Sequence, residues 1–329
     1  MDFRIPFSGR GHYYTEVEIS EAAKAMRKAV PLTQGKHLQA FEVLFREYAK
    51  IDYAFAISNA TAGLELAAQI CQFRMGDEVI MPTFTIISCA GAIIKAGATP
   101  VLVDSDPTTW NMDVNQIVGK ITEKTKAIVP VHFTGYMTDL RKLIPLAEKY
   151  DLPIVEDACQ SILGAIEGKN AGTWGKTGAF SLHPLKNLNV WSDGGLIVTD
   201  SRKIYDDLLL LRNHGLVDRD TVDVLGFNSR LDTFQAVVGN WLIPKTQEIA
   251  GKRIQNASYL DKGLSQIDGI TIPPRPTDFR IVYHLYIVFA QRRDSLLQEC
   301  LEQGIEAKIH YPVPIYRQKA LDRLGYQIG

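Results

Sequence analysis

Three short stretches carry side chains whose types and neighbours could do chemistry. In Phe180-Ser181-Leu182-His183-Pro184-Leu185-Lys186-Asn187 a lysine follows an apolar, strand-like run and precedes Asp193-Gly194-Gly195. An amine held among apolar groups loses solvation, so its pKa falls and the free base becomes available for Schiff-base chemistry. A lysine that snorkels to the surface accounts for the same residues, and His183 by itself reads as a hydrogen-bonded structural histidine. In Ile154-Val155-Glu156-Asp157-Ala158-Cys159-Gln160 an acid stands at the carboxyl end of a strand, where α/β proteins open the crevice that binds ligands. Asp157 there could hold a cationic ring nitrogen, coordinate a metal or cap a following helix, and no His/Cys/carboxylate cluster accompanies it. Ser58-Asn59-Ala60-Thr61-Ala62-Gly63 joins a strand to a helix. Its small residues let backbone N–H groups converge on an anion such as phosphate, although Asn59 and Thr61 equally suit ordinary capping. The stretch matches neither G-x-G-x-x-G nor G-x-x-x-x-G-K-[ST], which counts against a nicotinamide or P-loop site.

An anion site, a strand-end carboxylate and a desolvated lysine are together the parts that pyridoxal 5'-phosphate (PLP) requires. The lysine forms the Schiff base, the aspartate keeps the pyridine nitrogen protonated, and the helix end holds the phosphate. Their order along the chain fits fold-type I PLP enzymes.

The elements that must position these groups are legible as alternating patterns. Apolar runs at 54–58, 78–82, 99–104, 127–132, 153–156, 179–182 and 196–199 read as buried strands. Helical patterns at 62–74, 87–96, 137–150 and 202–213 lie between several of them, which predicts a largely parallel sheet covered on both faces. The last three strands have too little helix between them for βαβ units, so hairpin-like or mixed pairing is expected there. From 230 to 267 the chain reads as mostly helical, with Pro244 a kink or break. After Pro273-Pro274-Arg275-Pro276 a strand at 283–290, a helix at 294–303 and a strand at 307–311 read as a smaller second domain. The boundaries drawn are 1–245 for the large domain and 246–329 for the small one.

Composition narrows the class. The 329 residues are 46% hydrophobic and 22% charged, ordinary for a folded domain and unlike disordered or collagen-like chains. Lys+Arg 36 against Asp+Glu 37 leaves a net charge of -1, so no global basic field points to nucleic acid or an anionic membrane. The longest apolar stretches are broken by Lys95 or by glycines and cannot span a bilayer. Without an apolar signal core near Met1, a cytoplasmic protein is expected. Cys71, Cys89, Cys159 and Cys300 show no metal-ligand spacing and read as reduced thiols with packing roles.

With these motifs in place the sequence resembles the DegT/DnrJ/EryC1/StrS aminotransferase family, whose members act mostly on nucleotide-linked keto sugars. The resemblance covers nearly the whole chain. Besides the three stretches above it rests on Pro31-Leu32-Thr33-Gln34-Gly35, Gly76-Asp77-Glu78-Val79-Ile80, Ala96-Gly97-Ala98-Thr99-Pro100-Val101, Gly226-Phe227-Asn228-Ser229-Arg230 and His310-Tyr311-Pro312-Val313-Pro314. It implies a fold-type I PLP-dependent transferase: a mostly parallel seven-stranded sheet between helices, plus a smaller C-terminal α+β domain. By the same resemblance Lys186 is the Schiff-base lysine and proton shuttle, and Asp157 pairs with the pyridine nitrogen. Gln160 contacts the phenolic oxygen, and Ala60, Thr61 and Ser181 bind the phosphate. Asn228 reaches that phosphate from the neighbouring subunit of a homodimer with shared sites. Arg230, His310 and Tyr311 are candidates for substrate contacts.

Two departures stand out. Many members place an aromatic residue after the threonine of Pro82-Thr83-Phe84-Thr85, where this chain has Ile86, so an aliphatic side chain is expected to cover the cofactor ring. The family also continues beyond residue 329, and the chain therefore reads as short at its C-terminal end. Lys186 is retained, whereas dehydratase relatives carry histidine. The function implied is transfer of an amino group from glutamate to a keto sugar. The alternatives are a PLP reaction on a non-nucleotide keto sugar or cyclitol, and a catalytically idle regulator that binds PLP or a sugar.

Overall fold

The structure, a computed structural model, describes residues 3–7 and 14–326. All seven apolar runs become strands of one sheet: β1 (Tyr53–Ile57), β2 (Glu78–Pro82), β3 (Thr99–Val103), β4 (Thr125–Ile128), β5 (Val155–Asp157), β6 (Thr177–Ser181) and β7 (Gly195–Thr199). Their spatial order is β3-β2-β4-β5-β6-β7-β1. β2 pairs in parallel with β3 and β4, and single parallel bridges (Ile128 to Ile154, Val131 to Asp157) join β4 to β5. β5 is parallel to β6, while β7 is antiparallel to both β6 and β1. The mixed pairing expected at the end of the series is thus confined to β7. A strand that returns directly beside its predecessor needs no helical crossover, and the β6–β7 connection is the loop that carries Lys186.

Strand alternation feeds two cores. Ala54, Ala56, Ile80, Leu196 and Val198 join one cluster with Leu38, Phe41 and Phe45 of α2 (Lys36–Ala49), which follows α1 (Glu16–Lys28). Phe55, Ile57, Val79, Met81 and Ile197 face the other way, against Leu64 and Leu66 of α3 (Ala60–Ile70) and Ala90 and Ile93 of α4 (Ile87–Lys95). α5 (Leu140–Lys149) completes the first layer and α6 (Arg202–Arg212) the second. α7 (Thr233–Leu242) packs with α2, and Pro244 lies in a 3₁₀ turn, Ile243–Lys245, that breaks the path into α8 (Thr246–Leu264).

The C-terminal segment departs from the strand pattern expected of it. α9 (Arg293–Glu302) forms. Of the run 283–290, only Phe289–Ala290 pairs, with Ile270–Thr271. The backbone just before it is already committed: Val282 N donates to Gly135 O and Leu285 N to Thr134 O. The run 307–311 forms no strand. Its approach is tied instead to the N-terminal segment, where Ile305 bridges Ile5 and Glu306 N donates to Ile5 O. Apolar alternation yields a strand only where a neighbouring edge pairs with it: the first run pairs over two residues and the second over none among the described residues.

Candidate active site

Asp157 ends β5 and is 2% exposed. Its backbone is clamped on both sides: its N–H donates to Pro130 O (2.9 Å) and its carbonyl accepts from His132 N (3.0 Å). Its Oδ2 accepts from the Cys89 thiol at 2.8 Å and Oδ1 from Cys159 N at 3.1 Å. No helix follows it directly, so of the roles left open for this acid, capping is ruled out. Among the described residues no group of His, Cys, Asp and Glu is arranged to hold a metal ion.

Glu156, next door, points to the opposite face of β5. Fully buried, it accepts from the backbone N–H groups of Gly172 (2.8 Å), Trp174 (2.6 Å) and Gly175 (2.7 Å), and His132 Nε2 donates to it at 2.9 Å. Those bonds fasten the β5–β6 connection and so fix the strand end from which Asp157 projects.

Lys186 is half-buried in the β6–β7 loop, where its N–H closes a turn onto His183 O. Its Nζ lies 3.4 Å from His284 Nε2. Burial pushes the amine pKa down, partly opposed by the negative potential of the Asp157 carboxylate. Burial, reinforced by the carboxylate of Asp157, raises the thiol pKa values of Cys89 and Cys159, so both remain protonated.

The helix start beside this pair begins two residues earlier than the pattern indicates. α3 opens at Ala60, with the Asn59 side chain accepting from Ala62 N at 2.9 Å. The N–H groups of Ala60 and Thr61 find no acceptor among the described residues, the normal state of a first helical turn that faces an anion. Hydroxyls surround it: Thr61 Oγ1 donates to Ser88 Oγ at 3.1 Å, and Ser58 Oγ lies 3.0 Å from Ser229 Oγ. Gly195 permits the close approach of β7, since a Cβ there would stand 2.7 Å from Ala60 N. Ser181, at the end of β6, accepts from His183 N at 3.3 Å.

Gln160 is buried, and its Oε1 accepts from Thr134 N at 2.7 Å. Tyr311 contacts Gln160 and packs edge-on to Phe84, whose ring also meets Phe133 at 5.1 Å. Burial, with Asp157 nearby, raises the Tyr311 pKa. His310 stacks on Phe133, and burial and then Lys186 hold its pKa below the usual imidazole value. Phe84 is thus committed to an aromatic cluster, while Ile86 is 45% exposed at the start of α4.

The structure therefore gathers Lys186, Asp157, Gln160, His310 and Tyr311 around one place, with Ala60 and Thr61 at the adjacent helix start. Asn228 and Arg230 make no contact with Lys186 or Asp157. Asn228 is exposed and its Oδ1 accepts from Arg230 Nε at 3.1 Å, while Arg230 Nη1 donates to Asn213 Oδ1 at 3.0 Å. Sequence reasoning missed His284, Cys89 as the partner of Asp157, and the hydroxyls of Ser88 and Ser229. His284 sits inside an apolar run with no motif around it, and only the fold brings it to Lys186.

Comparison with known proteins bears on this arrangement. Residues 14–328 match the family described as the DegT/DnrJ/EryC1/StrS aminotransferase family. The chain is 33% identical to a pleiotropic regulatory protein of Geobacillus stearothermophilus, over 99% of this chain and 88% of that one. It is 33% identical to the dTDP-3-amino-3,4,6-trideoxy-alpha-D-glucose transaminase of Streptomyces venezuelae, covering 96% and 84%. Its fold matches the crystal structure of S. venezuelae DesV in complex with a ketimine intermediate at a TM-score of 0.92, with 33% identity over 95% of this chain and 84% of that chain.

Proposed function

This chain belongs to the DegT/DnrJ/EryC1/StrS aminotransferase family, and on that premise we propose that it is a PLP-dependent transaminase that moves an amino group from glutamate to a nucleotide-linked keto sugar. The observation that carries the reading is a half-buried Lys186, its pKa lowered by burial, within the field of the strand-end acid Asp157. The site's donors fit the cofactor: the Ala60 and Thr61 N–H groups lack acceptors among the described residues, and Gly195 keeps the space before them clear of a side chain.

In this reading Lys186 holds the cofactor through its amine and Asp157 pairs with the pyridine nitrogen. Gln160 lies at the phenolic oxygen and Ile86 against the ring. Ala60, Thr61 and Ser181 hold the phosphate, joined by Asn228 of the partner subunit. His310, Tyr311 and Arg230 face the substrate. When bound, PLP supplies an electron sink through which an amino group can leave one carbon skeleton and join another. With the cofactor bound, Lys186 Nζ would be the base that takes a proton from the substrate carbon bonded to nitrogen and the acid that returns it. Asp157, buried and clamped by its backbone, faces the pyridine N–H. Glutamate and sugar nucleotides are cytoplasmic metabolites, so this activity belongs in the cytoplasm; among the described residues no helix is long and apolar enough to cross a membrane.

A second copy of the chain suits an exposed apolar surface. Val217, Val222, Val224, Leu225 and Phe227 are exposed along the segment leading to Asn228, Leu225 to 94%. Val30 and Leu32 are exposed as well, and Leu32 O accepts from Thr233 N just beyond that segment. Patches of this kind mark association surfaces.

The test is a half-reaction. The PLP-loaded protein should change its absorbance on addition of glutamate, and the product form should return on addition of one member of a panel of keto sugar nucleotides. Borohydride reduction before glutamate should label Lys186, and Lys186→Ala should abolish both responses. A label on another lysine would overturn the site. PLP bound at Lys186 without any response to glutamate or other amino donors would favour the regulator.

A further inference from the structure

Lys186 has one hydrogen-bonding side chain beside its amine among the described residues, and the reading above does not use it. His284 Nε2 stands 3.4 Å from Nζ. The other ring nitrogen, Nδ1, is buried without a partner among the described residues, and within them the lysine is the ring's one hydrogen-bonding contact. A histidine retained for stability normally has both nitrogens satisfied, and an orphaned buried nitrogen beside a reactive group calls for another explanation.

The backbone that carries His284, residues 281–285, is fixed from several sides. Val282 N donates to Gly135 O (3.1 Å) and Leu285 N to Thr134 O (3.2 Å). Asn187 Nδ2 donates to Val282 O (3.0 Å), and Arg253 Nη1 donates to the carbonyls of Tyr283 (2.9 Å) and His284 (3.0 Å). Gly135, at φ +96°, is what allows the approach: a Cβ there would lie 2.9 Å from His284 N. Two of these anchors lead back into the site, since Asn187 follows Lys186 and Thr134 N also bonds Gln160. The strap and the lysine loop are therefore held as one unit.

We propose that His284 is a positioning residue for Lys186: its Nε2 accepts a hydrogen bond from the lysine amine and holds that amine toward Asp157 whenever it is free of the cofactor. The role rests on the transaminase reading, in which a free Lys186 must return to one place to move its proton. The ring can serve as an acceptor because burial, then the charges of Lys186 and Arg253 and the neighbouring His310 and His183, hold its pKa far below the usual imidazole value. Facing Lys186 itself are the Cys159 thiol and the Asp157 carboxylate, and the carboxylate favours the charged form of the amine.

The test uses the full chain freed of PLP. Trace acetylation across neutral to alkaline pH, quantified at Lys186 by mass spectrometry, gives the titration midpoint of the amine. Glutamine can place a hydrogen-bonding atom near the position of Nε2, whereas asparagine reaches only that of Nδ1. His284→Gln should keep the wild-type midpoint, and His284→Asn should lower it by about one pH unit, a roughly tenfold change in the free-amine ratio. Equal midpoints in all three proteins, or equal shifts in both variants, would overturn the proposal. Should His284→Asn fail to fold, the contact is read from its other end in Lys186→Met with ¹⁵N-labelled histidine. The His284 Nε2 resonance should move relative to wild type, and an unmoved resonance overturns the proposal. None of these measurements involves glutamate or bound cofactor. A failed glutamate response with these outcomes intact would therefore count against the transaminase reading alone.

Discussion

Two adjacent acids at the end of β5 are put to different uses, and strand alternation decides which is which. Glu156 turns toward backbone N–H groups that consume its acceptor capacity; Asp157 turns the other way, with only a thiol and one N–H on its carboxylate. Asp157→Asn keeps the shape and removes the charge. We expect PLP still to attach at Lys186, while the glutamate half-reaction followed by stopped-flow absorbance slows by roughly tenfold or more, at about 1.4 kcal/mol per decade. A near-native rate would reduce Asp157 to a local turn former that bonds Cys159 N. The burial of Lys186 and Asp157 was legible in the sequence because Asp157 ends an apolar strand and Lys186 stands in the short loop after another. His284 was not, because its chemistry depends on a contact between positions far apart in the chain. Cys89 was read as a packing residue, and it does pack in the core, but its thiol also meets Asp157, a contact no spacing rule encodes.

At the scale of elements, the seven strands were legible because strands buried on both faces must be nearly continuous apolar runs. Their ends were less so: α3 begins at Ala60 because Asn59 caps it, and that cap sets which N–H groups face the site. The C-terminal runs carried similar alternation, yet only Phe289–Ala290 pairs among the described residues, an outcome visible only in three dimensions. The β5–β6 connection contains no α-helix, only a two-residue hairpin pairing Ala165–Ile166 with Lys169–Asn170. Much of its order therefore comes from Glu156. Glu156→Ala would strand the buried Gly172 N–H and His132 ring, together with the partly buried N–H groups of Trp174 and Gly175. It should cost about 3 kcal/mol or more of stability, measured as a lower denaturant midpoint by circular dichroism. Glu156→Gln, which keeps an acceptor oxygen, should fall between that variant and wild type. A Glu156→Ala midpoint equal to wild type would mean that water or a rearranged loop satisfies those donors.

At the scale of the whole molecule the question is which chain completes each site. Within one chain Ser229 Oγ lies beside Ser58 at the helix start, yet the preceding Asn228 is exposed, its side chain bonded to Arg230 and its backbone bridging Asn213. A tight turn explains that arrangement as an isolated feature. The exposed apolar run from Val217 to Phe227 is better explained if a second subunit covers it, which would carry Asn228 to the partner's phosphate site. A twofold dimer makes a prediction that a self-contained site does not. Lys186→Ala and Asn228→Ala should each be poorly active alone. In a heterodimer of the two, both lesions fall in one site, and the other site has Lys186 from one chain and Asn228 from its partner, both intact. Differently tagged chains, refolded together and purified through both tags, should therefore regain one working site per dimer at saturating substrate and limiting PLP. The limiting cofactor matters because Asn228→Ala is expected to weaken phosphate binding more than proton transfer. If Asn228→Ala alone is impaired and the verified heterodimer regains nothing, Asn228 serves the phosphate of its own chain. In that event the apolar surface joins subunits whose sites are each complete.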